Sequence, residues 1–242
     1  MATQKKARQM KIMIGDTESK KQAGIAAANL VQSGMGVGLG TGSTVFFALE
    51  RLAERQKREG LKFFGVSTSF STALLCRKFG IELRDSGSVS YLDLAIDGAD
   101  EIDKNLNLIK GRGAAHLLEK VVASLAAQFV VVADFSKCVE NLGEKFPVPL
   151  EILPAALGLV EADIKKLGGE FSIRMAGACK DGPTISDSGN IIVDANFGSI
   201  KDPVALSKKL DSIPGLLGHG LFAGLAKEAF IAGKAGVEHI LL

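Results

Sequence analysis

Three polar motifs each follow a short apolar run. The first is Gly38-Leu39-Gly40-Thr41-Gly42-Ser43-Thr44, the second Asp97-Gly98-Ala99-Asp100-Glu101, and the third Lys110-Gly111-Arg112-Gly113, with Glu119 a short way beyond it. A glycine loop that opens a helix offers unpaired backbone N–H groups and the positive end of the helix dipole to an anion. Aspartates, a lysine and a glutamate can hold and move protons. In a parallel α/β sheet the carboxyl ends of neighbouring strands meet at one crevice, so the three motifs can share a site. This chemistry predicts an enzyme acting on a small phosphorylated molecule.

Each motif has a plainer reading. The glycine loop fits neither common nucleotide motif. Counting from Gly38, the last position of a G-x-G-x-x-G fingerprint falls on Ser43, and the strand Lys62–Val66 runs into Ser67 and Thr68 rather than an acid. No Gly-Lys-Ser/Thr ending is present for a Walker loop. Thr41, Ser43 and Thr44 add hydroxyls that suit a phosphate; the alternative is an ordinary βα turn. Asp97 and Asp100 lie where an apolar strand ends, suited to ligand hydroxyls or to a tight turn. Lys110 lies beside glycines whose N–H groups can face an oxyanion. Glu119, if buried, has a raised pKa and suits a general base; if exposed, it is an ordinary surface glutamate. His116 is expected to be a solvated histidine on the same helix face. Lys137, after the run Phe129–Ala133, can reach a phosphate or sugar oxygen. His116, His219 and His239 lie far apart in sequence, and no metal site is expected.

These residues need a scaffold, and the periodicity supplies one. Helices are predicted over 17–33, from Ser43, from Ser69 or Ser71 to Gly80, over 114–127 (with Leu118, Val122 and Leu125 inward), 155–167 and 203–211. Strands are predicted at 37–39, 62–66, 91–96, 106–109, 129–133 and 171–175. Residues 186–190 read as a hairpin turn between 183–185 and 191–193, and the tail 237–242 as a strand that rejoins the first sheet. The fold class is α/β: a Rossmann-like, mostly parallel sheet with helices on both faces, plus a smaller ferredoxin-like α+β unit. The expected division is residues 1–141 with 213–242 as the large catalytic domain and 142–212 as the small one.

The composition narrows the class. The chain has 242 residues, 47% of them hydrophobic, and a net charge of +2. That charge is too small to argue for nucleic-acid or membrane binding, and Lys5, Lys6, Arg8 and Lys11 read as a solvated leader. The three cysteines, Cys76, Cys138 and Cys179, are scattered and suit a reducing cytosol. No apolar run approaches the ~20 residues of a membrane span, and no secretion signal is evident. The expectation is a cytoplasmic enzyme.

The ordered set Gly40–Thr44, Ser67–Ser69, Asp97–Glu101, Lys110-Gly111-x-Gly113, Glu119-Lys120, Ala133-Asp134-x-Ser136-Lys137 and Gly189-Asn190 closely resembles type A ribose-5-phosphate isomerase, from Lys20 to the C-terminus. The resemblance implies an aldose–ketose isomerase of the pentose phosphate pathway. It implies interconversion of ribose 5-phosphate and ribulose 5-phosphate through an enediolate, without metal or organic cofactor, in a homodimer or homotetramer. It implies Glu119 as general base, with Asp97, Asp100 and Lys110 handling ring opening, hydroxyl protons and the oxyanion. The substrate contacts it implies are Thr41, Gly42, Ser43, Thr44, Asp97, Gly98, Ala99, Asp100, Lys110, Gly111, Arg112, Gly113 and Lys137, with Lys20 on the phosphate side. Arg112, His116 and Leu118 depart from the family pattern; Arg112 is expected to change kinetics modestly. Two other readings stand beside it: a non-catalytic sugar-phosphate sensor, and a related enzyme such as an amino-sugar phosphate deaminase or a coenzyme A transferase.

Overall fold

The computed structural model describes residues 17–178 and 180–242. The basic leader and Cys179 lie outside the described residues. A first helix, α1, covers residues 17–28. It is shorter than the predicted span because the chain turns at residues 29–30.

The main sheet has six strands: β1 (Gly36–Leu39), β2 (Phe64–Ser67), β3 (Leu92–Asp97), β6 (Ala126–Asp134), β12 (Glu228–Gly233) and β13 (Gly236–Leu241). Their order is β13-β12-β6-β3-β1-β2. All neighbours run parallel except β13, which folds back antiparallel on β12 at the edge. From β1 the chain moves outward to β2, then returns to place β3 on β1's other side. That reversal opens a crevice at the carboxyl ends of β1 and β3.

Helices α2 (Ser43–Glu59) and α3 (Phe70–Phe79) join α1 on one face, around Val37, Leu39, Leu94, Ile96 and Val130. The other face carries α4 (His116–Leu125) and a three-stranded sheet of β4 (Glu101–Ile102), β5 (Leu108–Ile109) and β11 (Leu221–Phe222). Alternate residues of β6 serve the two cores, Val130 and Val132 on one side and Phe129, Val131 and Ala133 on the other. The local signals worked as read at α3: Ser69 caps it by accepting from Thr72 N–H, and Gly80 ends it at φ 72°.

A second, antiparallel sheet follows. It is built from β7 (Val148–Ile152), α5 (Leu157–Lys166), β8 (Glu170–Ile173), β9 (Ile191–Asn196), α6 (Pro203–Asp211) and β10 (Leu216–His219). The strand order β10-β7-β9-β8 is the ferredoxin-like arrangement. Its fourth strand, β10, was absent from the sequence prediction and lies beyond residue 212. Ile109 and Leu221 of the three-stranded sheet pack into this core and tie it to the crevice.

Candidate active site

Lys110 follows β5, and its backbone N–H donates to Gly220 O at 2.9 Å. Its ammonium lies 3.0 Å from Asp97 Oδ2 and 3.2 Å from Glu119 Oε2, with all three side chains no more than 6% exposed. In good geometry the ammonium donates to Gly98 O at 2.6 Å. Among the described residues, Asp97 Oδ2 and Glu119 Oε2 are therefore buried oxygens with an ion-pair partner and no hydrogen bond. A carboxylate oxygen has more than one lone pair, so each can accept a further donor from a ligand. A sugar carries hydroxyls suited to that task.

Asp97 ends β3. Its Oδ1 accepts from Thr41 N–H at 3.1 Å and Gly98 N–H at 2.7 Å, which fastens the glycine loop to the acidic turn. Gly40 permits this approach: a Cβ there would lie 2.2 Å from the Asp97 carboxyl carbon. Asp100 Oδ2 accepts from Arg112 N–H at 3.0 Å, fastening the acidic turn to the loop after Lys110. Gly111 has φ 107°, and its missing Cβ leaves room for the His116 ring.

On α4 the expected Val122 is buried and Leu118 and Leu125 pack half-buried against the same core, while His116, Glu119 and Ala123 are buried as well. This corrects the reading of His116. It is fully buried rather than solvated. Burial, with the nearby Lys120 and Arg174 charges, pushes its pKa down to about 3, so it is neutral.

Burial, followed by the Asp97 charge, pushes Glu119 up to about 8, although Lys110 pulls the other way. Burial also raises Asp97. At Lys110, burial works against the charge, but the Asp97 and Glu119 carboxylates outweigh it and the amine stays protonated. Lys110 also lies 5.5 Å from the centre of the Phe222 ring.

The glycine loop opens α2. Gly42 takes the N-cap place at φ 123°, with no side-chain cap and no acid in the first turn, so the N-terminus of a 17-residue helix faces the crevice. Thr41 lines the cavity and also anchors the loop. Its hydroxyl donates to Ser69 Oγ at 2.7 Å, within a cluster of Thr68, Ser69 and Thr72 hydroxyls, and so pins the loop. Ser43 and Thr44 remain at the helix start.

Residues 41–44, 98–100, 110–113, Glu119, Lys137 and Lys20 line one cavity of about 270 Å³. Asp97 reaches it through Lys110. The three motifs thus converge although Thr41 and Lys110 are 69 positions apart in the chain. Among the described residues, no group of three His, Cys, Asp or Glu side chains gathers as a metal-binding cluster, and no helix is long and apolar enough to cross a membrane.

Three supporting contacts had no local signal in the sequence, although Glu101 and Lys120 belong to its motifs. Glu101, fully buried, accepts from the N–H groups of Gly143, Lys145 and Phe146. Arg174 grips the Asp194 carboxylate and donates to Gly111 O at 2.9 Å and Arg112 O at 3.1 Å, holding the loop after Lys110 from the antiparallel sheet. Lys120, beside Glu119 in sequence, turns instead to His219, with Nζ 3.2 Å from Nδ1.

The family model described as Ribose 5-phosphate isomerase A (phosphoriboisomerase A) matches residues 64–236. Among curated relatives, the chain is 50% identical over 210 residues to ribose-5-phosphate isomerase A of Thermosynechococcus vestitus, covering 86% of this chain and 89% of that one. It is 49% identical over 226 residues to the Methanosarcina acetivorans protein of the same name, covering 93% and 95%. Among solved structures, ribose 5-phosphate isomerase A from Methanocaldococcus jannaschii superposes with a TM-score of 0.89 at 39% identity, covering 93% of this chain and 99% of that one. A D-ribose-5-phosphate isomerase in complex with phospho-erythronic acid superposes equally well, at 0.89 and 39%, covering 93% and 98%.

Proposed function

The chain belongs to the ribose 5-phosphate isomerase A family, and from that premise we propose how its crevice works. It is an aldose–ketose isomerase that interconverts ribose 5-phosphate and ribulose 5-phosphate. The observation that carries the reading is the buried Lys110, 3.0 Å from Asp97 and 3.2 Å from Glu119, with Lys110 and Glu119 lining the cavity.

The phosphate binds at the α2 N-terminus, where Gly42, Ser43 and Thr44 meet the positive end of the dipole and Lys20 and Lys137 line the same cavity. Anchoring that remote group holds the opened sugar in register with Glu119. Glu119, as carboxylate, takes the proton from C2. The C–H electron pair forms the C1–C2 double bond, and the carbonyl pair moves onto O1. Lys110 and the N–H groups of Gly111 and Gly113 stabilise that oxyanion. Asp97 and Asp100 accept and return the hydroxyl protons, in ring opening and between O2 and O1. Glu119, now protonated, returns its proton to C1 and yields the ketose.

A pKa of about 8 suits both halves of this cycle, since the same group must release and accept a proton near neutral pH. No step in this sequence uses a metal. Phospho-erythronic acid bears a carboxylate where the enediolate carries its charge, so its binding to a relative supports this route.

The large parallel sheet supplies the reacting groups in this reading, and the antiparallel unit braces the Lys110 loop through Arg174. The proposed assembly is a homo-oligomer, a dimer or a tetramer, as the family resemblance implies. The cytoplasm is the compartment proposed for it.

The test is direct. The purified protein is mixed with ribose 5-phosphate and excess EDTA, and ketose formation is followed by absorbance. Turnover is expected. Binding of ribose 5-phosphate without turnover would convert the reading to a non-catalytic sugar-phosphate sensor.

A further inference from the structure

Phe146 stands outside the reacting centre, yet two cations of the cleft rest over its ring. The Arg112 guanidinium carbon lies 5.2 Å from the ring centre and the Lys137 ammonium 5.6 Å. Both are within the roughly 6 Å over which a ring quadrupole attracts a cation. Arg112 and Lys137 line the 270 Å³ cavity. Phe146 lines a neighbouring cavity of about 210 Å³, which it shares with Arg112 and Asp100.

The backbone that carries the ring is firmly held. Glu101 gathers the N–H groups of Gly143, Lys145 and Phe146 on one buried carboxylate. Lys145 in turn donates through Nζ to Ser136 O at 2.7 Å and Cys138 O at 3.0 Å, the carbonyls on either side of Lys137. A single loop therefore clasps the turn that carries Lys137 and supplies the ring beneath its ammonium. Glu101 directly follows Asp100, so the acidic turn and this loop share one frame.

We propose that Phe146, fixed by Glu101, is a positioning residue that sets Lys137 and Arg112 at the rim of the cavity for the anionic substrate. The proposal rests on the isomerase reading above. Lysine and arginine stems lose much rotamer freedom on binding, and a ring beneath each head removes part of that loss in advance. Preorganised cations strengthen binding of the whole sugar phosphate, so the effect belongs to KM rather than to kcat.

The experiment compares Phe146→Leu, which keeps apolar bulk, with Phe146→Tyr, which keeps the ring face. For Phe146→Leu at low salt, KM for ribose 5-phosphate rises about three- to tenfold, while kcat stays within about twofold. Phe146→Tyr restores KM. In an Arg112→Gln/Lys137→Met background, Phe146→Leu adds no further change. The proposal is overturned if Phe146→Leu raises KM equally in that background, if Leu and Tyr behave alike, or if the loss lies in kcat. Should Phe146→Leu lose its cooperative melt, Phe146→Met takes its place in the same comparison. Calorimetric Kd values for ribose 5-phosphate, taken beside the kinetics, read the same fold-change without turnover. An inactive wild type would thus count against the isomerase reading and leave the Phe146 test decisive.

Discussion

Replacing Asp97 by Asn moves the pH at which the enzyme switches on. Lys110 Nζ lies 3.0 Å from Asp97 Oδ2 and 3.2 Å from Glu119 Oε2. The two oxygens are thus no more than about 6 Å apart, where a full negative charge on each costs about 2.7 kcal/mol at an effective dielectric of about 20, or about two pKa units. Burial raises Asp97 itself, so its charge is partial and the usable shift is between about one and two units. Asparagine keeps an oxygen for the Thr41 and Gly98 N–H groups and removes the charge. The assay is kcat/KM for ribose 5-phosphate between about pH 5 and 10. In the wild type the acid limb bends at about 8, the value set at Glu119. In Asp97→Asn it bends between about 6 and 7, whatever the plateau height. A limb that stays at about 8 or moves upward would refute the reasoning, because burial alone would then set the base.

Three further outcomes follow from the same geometry. Gly40→Ala drives a methyl into the Asp97 carboxyl at 2.2 Å; it lowers stability by about 1–3 kcal/mol and kcat/KM by more than about tenfold, and a wild-type melt with full activity would contradict it. His116→Leu replaces a fully buried, neutral imidazole with an apolar side chain, so the melting temperature holds or rises with kcat/KM within about threefold; a clear drop on calorimetry would show that the imidazole is needed. Glu119→Gln changes the pH dependence of stability. The carboxyl has a pKa of about 8 folded against its ordinary value of 4.5, so its contribution is whole below 4.5 and lost as pH rises through 8. Glutamine cannot ionise, and the variant gains on the wild type across that window by an amount on the order of a few kcal/mol; a difference that stays flat with pH in urea melts would count against the raised pKa.

The sequence was most legible where signals are local. Asp202 and Pro203 start α6 and the span 203–211 matches the prediction, because an N-cap aspartate and a proline at the first turn act within a few residues. The boundary after α4 was misread because Ala126, Ala127 and Gln128 favour helix, yet Ala126 and Gln128 pair with Leu92 and Leu94 on β3, and the ladder overrides propensity. The predicted strand 106–109 shortens because Leu106 turns at φ 54°, within a loop organised by the Asp103 carboxylate. β10 went unseen because the glycines around Leu216–His219 blur the period of two. At the site, residue types and order were enough to bring Thr41–Thr44, Asp97–Asp100, Lys110 and Glu119 together. The roles of Glu101, Phe146 and Arg174 depend on contacts made across long stretches of chain, which leave no nearby pattern to read.

The measurement that bears most directly on the account is isomerisation in D₂O by the wild type and by Glu119→Gln, both in EDTA. The wild type converts ribose 5-phosphate and places deuterium at C1 of ribulose 5-phosphate, because the base exchanges its proton with solvent between the two transfers. In Glu119→Gln, turnover and deuterium incorporation both fall by about 10²-fold or more, while phospho-erythronic acid still binds. A variant that isomerises at the wild-type rate, or that still places deuterium at C1, would contradict Glu119 as the group that carries the proton.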